Sequence, residues 1–257
     1  MPNMMASEKY DGTIATAEQA RKMCVIGNRV LAGEKVLDAF GHVTVRNPER
    51  PDTFFISWAT SPAFVTLGDL QLCDFDGNIL GGDSRRPYGE RILHARIFKA
   101  RPDVNAICHG HPTALLPFVC TDTPLKAATA SGVYFYDGVP LMKEWDPESG
   151  LHIATVKAGD QLAAALGKGY AALIRSHGMV TVADCVQSLC NVSNALVDTA
   201  AIQYTLLQID AAPFALSVQE AEKAMETATT AIGMERAWNF KVRNIKAIFP
   251  DISDLFD

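Results

Sequence analysis

Segments that read as helices and segments that read as strands interleave along this 257-residue chain, but without the regular strand–helix–strand spacing of an all-parallel sheet. Thr16 stands as the N-cap of a predicted helix over 17–32, with Met23, Val25, Ile26 and Val30 apolar and Gly33 ending it. Residues 43–45, 53–57 and 70–75 read as strands, the last closed by the turn Asp76-Gly77-Asn78. A helix is predicted over 90–100, where Leu93, Ile97 and Ala100 form one stripe and Arg101-Pro102-Asp103 stops it. Strands follow over 104–109 and 141–144, then a helix over 161–166 with Asp160 as its N-cap and Gly167-Lys168-Gly169 as its end. Strands over 171–174 and 179–182 flank a tight Ser176-His177-Gly178 turn, and Asp184 caps a long helix reaching about Gln208. Such an order predicts an α/β fold with a mixed central sheet and helices on both faces. No repeat, low-complexity tract or linker divides the chain, so 1–257 reads as one domain, with the pattern thinnest over roughly the first 15 and last 45 residues.

Partners are bounded by charge. The net charge of −6 comes without a basic cluster, which argues against nucleic acid or an anionic membrane as the partner. No apolar run approaches the roughly 18–20 residues of a membrane span. The first eleven residues include Glu8, Lys9 and Asp11 and lack the apolar core of a signal peptide, so the expected compartment is the cytoplasm. Cysteines 24, 73, 108, 120, 185 and 190 form no CxxC and mostly sit in apolar segments, as buried reduced thiols do.

Chemistry points to the six histidines at 42, 94, 109, 111, 152 and 177. In His109-Gly110-His111-Pro112 the two imidazoles are spaced to share one face of a strand, and Pro112 ends that strand near the sheet's rim. Catalytic ions usually take three protein ligands and keep one position open. His177, in a turn beside a glycine, is the natural third candidate. Spacing alone leaves surface or core histidines open as the other reading. His94 lies one turn after Glu90 on the same helix side and either orients it or makes a structural contact. His152 has no motif around it and reads as surface.

The ordered set Glu90-Arg91-Ile92-Leu93-His94, Ala100-Arg101-Pro102-Asp103-Val104-Asn105-Ala106, His109-Gly110-His111-Pro112 and Leu173-Ile174-Arg175-Ser176-His177-Gly178 resembles the class II aldolase/adducin family. Gly41-His42-Val43-Thr44-Val45-Arg46 and Leu72-Cys73-Asp74-Phe75-Asp76-Gly77 match its N-terminal half, so the resemblance spans roughly 17–210. It implies a three-layer α/β/α fold, a divalent metal on His109, His111 and His177, and Glu90 as general acid/base. It also implies a homo-oligomer, a tetramer in many relatives, with sites at subunit interfaces.

Departures from the family's sugar-phosphate enzymes narrow the chemistry. Those enzymes cradle phosphate with a glycine-asparagine pair, a Thr/Ser-Gly turn and paired serines before the glutamate. This chain has Gly41-His42, then Ser57-Trp58-Ala59-Thr60-Ser61-Pro62, then Pro87-Tyr88-Gly89. Phosphate sites need small residues so that backbone N–H groups approach closely, and Trp58 and Tyr88 would crowd one. Phe40-Gly41-His42 is similar instead to the branch that decarboxylates hydroxylated aromatic diacids of the dihydroxyphthalate or hydroxypyridine-dicarboxylate type. Trp58 and Tyr88 can border a flat ring or be plain core. Arg85 and Arg86 offer two-pronged donors for a substrate carboxylate, or form a solvated surface pair. His42 is expected to touch substrate and assist Glu90. The function read here is therefore a metal-dependent decarboxylase of a small carboxylate substrate, with zinc or manganese, iron or cobalt as the ion. The alternatives are an aldolase for an unphosphorylated hydroxy-keto acid and a non-enzymatic binding protein like the adducin head domain, which lacks the ligands retained here.

Overall fold

The structure is a computed structural model and describes residues 8–256, so the reading of the N-terminal segment falls outside it up to Ser7. One sheet of eight strands carries the fold: β1 His42–Arg46, β2 Thr53–Ser57, β3 Leu70–Asp74, β4 Ile79–Leu80, β5 Ala106–Gly110, β6 Leu141–Met142, β7 Ala171–Ile174 and β8 Gly178–Ala183, in the order β4-β3-β2-β1-β5-β8-β7-β6. Among the described residues only the β6–β7 pair is parallel; the other neighbours run antiparallel. The helices are α1 Ala17–Gly33, α2 Arg91–Ala100, α3 Leu116–Val119, α4 Val156–Leu166, α5 Val186–Gln208, α6 Val218–Ala228 and α7 Ala231–Ile248.

Alternation along the strands sorts the sheet into two cores. Val43, Val45, Phe55, Cys108 and Met179 pack with α1 and α5, while Phe54, Ile56, Ile107, Val180 and Val182 pack with α2 and α4. The expected α/β/α layering follows from that split. The C-terminal helices, for which the sequence pattern gave no assignment, are tied back to α1 and the turn after it: Lys241 pairs with Glu34 at 2.8 Å and Asp251, just beyond α7, with Arg29 at 2.7 Å. Among the described residues no helix is long and apolar enough to cross a membrane. All six cysteines are free, and Cys120 alone among them is exposed.

Three helix starts differ from expectation; α2 begins at Arg91, with Glu90 as its N-cap residue and not its first helical residue. α4 begins at Val156, capped by the Thr155 hydroxyl, which accepts from Ala158 N at 3.2 Å. Gly159 masked this turn because glycine weakens an isolated helix. Here a side chain at 159 would meet Arg96 Cγ at 2.6 Å, so glycine lets α4 press onto α2. Asp160 is no cap; it pairs with Arg96 at 2.6 Å. α5 is capped one residue later than expected, by Cys185 in place of Asp184, its sulfur accepting from Ser188 N at 3.4 Å.

Candidate metal centre

The pleat places the first histidines. His42 and Thr44 lie on the α2 face of β1, and the register sets His42 directly opposite His109 on β5. β5 ends at Gly110, so His111 stands just past the strand at its rim. His177 sits in the β7–β8 turn, where Ser176 takes a left-handed backbone with φ of 57°. The start of β8 then passes very close to the end of β5: a Cβ on Gly178 would lie 2.5 Å from the Gly110 carbonyl oxygen and 2.7 Å from His111 Cδ2. Only glycine permits this approach, and the approach brings His177 beside the other two rings. Gly178→Ala is expected to displace His111 and weaken metal binding by about 10–100-fold, the range for losing an orienting neighbour of a ligand. Competition with a colorimetric chelator measures it, and unaltered affinity would show that the rim can yield without moving the ring.

Three ring nitrogens converge. His177 Nε2 lies 3.1 Å from His109 Nε2 and 3.3 Å from His111 Nε2. Nitrogens sharing one ion at bonds of about 2.0–2.1 Å with tetrahedral angles are about 3.3 Å apart, so the spacing fits a single ion. His109 Nδ1 meets the Met179 carbonyl at 2.9 Å, which puts the proton on Nδ1 and leaves the Nε2 lone pair free to ligate. Glu90, the N-cap residue of α2, places Oε1 3.0 Å from His177 Nε2 and Oε2 3.3 Å from His109 Nε2. The Ile153 N–H donates to Oε1 at 3.2 Å and fixes the carboxylate. The four groups lie within 4.8 Å of one another and form a set that can hold a metal ion.

Electrostatics suit that use. Burial pushes the Glu90 carboxyl up, but the His109 and His177 imidazoles outweigh it and hold it well below the usual carboxylate range. Burial, with His109 and His177 nearby, lowers His111 to about 4, so its ring is neutral at pH 7 as a ligand must be. Burial lowers His42 to about 3 and drives His94 well down, leaving both neutral as well.

The remaining sequence candidates fall in different places. His42 flanks the cluster, its ring 5.3 Å from that of His109 and 4.3 Å from Tyr88. Tyr88 therefore borders the site, its hydroxyl donating to the Thr60 carbonyl, whereas the Trp58 indole is tied to Asp69 at 2.7 Å. His94 does not orient Glu90; it contacts His42 and Thr44. Arg85 is committed elsewhere: its guanidinium grips Asp83, with Nε 3.0 Å from Oδ1, and lies 3.7 Å from Asp69. Arg86 is exposed on the segment held to the end of β2, its carbonyl accepting from Ala59 N at 2.9 Å. Among the described residues neither arginine contacts the four-residue cluster.

Two residues were not singled out as part of the site. Exposed His152 brings Nδ1 to 3.7 Å from Glu90 Oε1 and its ring to 5.2 Å from His177. It rides on a loop with no metal-ligand spacing, shaped by Trp145 donating to the Gly150 carbonyl at 2.8 Å, so nothing in the sequence marked it. Thr44 read as an ordinary strand residue.

A mixed sheet with three imidazoles and a carboxylate converging at its rim defines an α/β/α protein built around a candidate metal site. The family model for the class II aldolase and adducin N-terminal domain matches residues 21–204, and the chain belongs to this family. It is similar to the decarboxylase tropJ of Talaromyces stipitatus, 28% identical over 205 residues that cover 73% of this chain and 76% of that protein. A 3,4-dihydroxyphthalate decarboxylase of Arthrobacter keyseri is 26% identical over 189 residues, 65% of this chain and 71% of its own length. Among solved structures, an L-fuculose 1-phosphate aldolase from Glaciozyma antarctica superposes with a TM-score of 0.77 at 25% identity, covering 94% of this chain and 95% of that one.

Proposed function

We propose that this protein is a metal-dependent carboxy-lyase that removes CO2 from a hydroxylated aromatic or pyridine dicarboxylate. The observation that carries the reading is the Glu90 carboxylate lodged against three convergent imidazole nitrogens with the His42 and Tyr88 rings alongside. The relatives named decarboxylases support it. His109, His111 and His177 would hold a divalent ion, zinc or manganese with iron or cobalt also suited to the donors, and that ion supplies Lewis-acid charge for the ring oxygen and its neighbouring carboxylate. Glu90 moves a proton onto the ring carbon that carries the departing carboxylate. The bond to the carboxylate carbon then breaks, its electron pair returns to the ring, CO2 leaves and aromaticity is restored. Tyr88 and His42, whose rings are tilted 52° to each other, would flank the substrate ring.

Of the two arginines, Arg86 is the one without a side-chain partner among the described residues, and so the candidate to meet the carboxylate that stays on the ring, because Asp83 occupies Arg85. Arg86→Ala is expected to raise KM by about ten- to a hundred-fold, the worth of one charge-assisted hydrogen bond, with kcat changed less. Steady-state kinetics check this, and an unchanged KM would return Arg86 to the solvated surface.

The active form is taken as a cytoplasmic homotetramer of single-domain subunits; Phe40, 72% exposed and two residues before His42, supports a subunit boundary near the site. A second reading, an aldolase for an unphosphorylated hydroxy-keto acid, is favoured by the likeness to the fuculose phosphate aldolase. The deciding experiment is a CO2-release screen of hydroxylated aromatic diacids with the metal-reconstituted protein. Aldehyde product without CO2 would replace the first reading by the second.

A further inference from the structure

Behind the site lies a line of three buried polar side chains, two of which, Thr44 and His94, the reaction above does not use. Thr44 Oγ1 is 2.8 Å from His94 Nδ1, and His94 Nε2 is 2.7 Å from His42 Nδ1. Thr44 and His94 are 0% exposed and His42 2%, so water cannot complete any of these bonds. The sheet builds the line: His42 and Thr44 share one face of β1, and α2 packs His94 against both.

Each short contact between ring nitrogens needs one proton and one lone pair. Two arrangements satisfy the line, running in opposite directions. In one, His94 Nδ1–H donates to Thr44 and His42 Nδ1–H donates to His94. The Thr44 hydroxyl proton then has no acceptor, since His94 is the hydroxyl's one hydrogen-bond partner among the described residues. A fully buried hydroxyl proton without an acceptor is disfavoured. In the other, the Thr44 O–H donates to His94 Nδ1 and His94 Nε2–H donates to His42 Nδ1, so both inner protons are placed and the one left without a partner, on His42 Nε2, lies at the end of the line beside the His109 ring, where a ligand oxygen can accept it.

We infer that Thr44, acting through His94, fixes His42 as the tautomer with its proton on Nε2, so that His42 presents a hydrogen-bond donor to the substrate. His42 Nε2 has no hydrogen-bond partner among the described residues, which leaves that N–H for an oxygen of the ligand. In this form His42 is neither a general base nor a metal ligand through Nε2. It stabilises a carboxylate or ring oxygen while Glu90 handles the proton on carbon. Thr44 and His94 are positioning residues. The tautomer assignment stands on the hydrogen bonds alone, whereas the oxygen it serves rests on the decarboxylase reading.

The test is a nitrogen-15 spectrum of the histidine rings in the full-length, zinc-loaded protein, with His42 assigned by loss of its signals in His42→Gln. The expected pattern is a neutral ring protonated on Nε2 for both His42 and His94. A His42 ring protonated on Nδ1, or on both nitrogens, overturns the inference whatever substrate the enzyme proves to take. Thr44→Val removes the first donor, and the expected results are a drop in the Nε2–H population of His42 and a kcat lower by about ten- to a hundred-fold. Thr44→Ser should restore both. If Thr44→Val does not fold, the wild-type and Thr44→Ser spectra still decide; if it folds with the wild-type tautomer, Thr44 is not the residue that sets it. An enzyme that released no CO2 yet showed the Nε2–H pattern would refute the reaction and leave the assignment intact.

Discussion

Glu90→Gln is expected to give a folded, metal-loaded protein that binds substrate but turns over roughly 10²–10⁴-fold more slowly, the usual contribution of general acid–base catalysis. The amide keeps the size of the carboxylate and can still accept from Ile153 N, which lies 3.2 Å from Oε1. It cannot deliver an acidic proton. In the free enzyme the His109 and His177 imidazoles outweigh burial and hold the carboxyl ionised. An aromatic ring covering the site strengthens the desolvation that already pushes it up, so its proton affinity rises when it is needed. Metal analysis and single-turnover kinetics on one sample separate the roles. A loss of metal in step with activity would make Glu90 a ligand, a role its 3.0 and 3.3 Å approaches to the histidines also allow. A kcat within a few-fold of wild type would move the proton transfer elsewhere.

The second large effect is expected from the ligands. His109→Ala should abolish activity and weaken metal binding by more than the roughly 10–100-fold that an outer-shell loss costs. His109 is fully buried and its orientation is locked by the Met179 carbonyl. His111→Ala and His177→Ala should follow it, read by metal content after dialysis; stoichiometric metal in the His177 variant would remove that residue from the centre. Acidification acts in the same direction. Protons and the ion compete for the same lone pairs, so loading falls as pH falls. The sign is that of a depressed histidine: burial holds His111 at about 4, which keeps its neutral form available above that pH and surrenders it below.

Part of this candidate site was legible in the sequence because three of its histidines obey short-range rules. His109-Gly110-His111 has the spacing of one strand face, although the strand stops at Gly110 and His111 stands just past it; Pro112 marks the rim, and His177 sits in a turn that glycine signals. Glu90 was pointed to by the resemblance to the class II aldolase/adducin family, in which an acidic residue opens the helix, and not by spacing. What escaped depended on contacts between distant segments. His152 reaches Glu90 only because its loop folds back over the site. The Thr44–His94–His42 line exists only because α2 crosses β1 at one height. Arg85 looked available until the turn carrying Asp83 closed on it. Gly159 hid the first turn of α4 for the same reason, since its value lies in contact with Arg96 and not in local propensity.

The position of β5 and β8 in the middle of the strand order has a consequence for motion. Their amides are paired on both sides, so their hydrogens should exchange only when the whole molecule opens. The helix start at Glu90, the His152 loop and the segment bearing Arg86 lack that double protection and open at much lower cost. A bulky ring can therefore enter and leave by fluctuation of the rim while the imidazole nest keeps its shape, so that turnover draws on local breathing and not on the stability of the sheet.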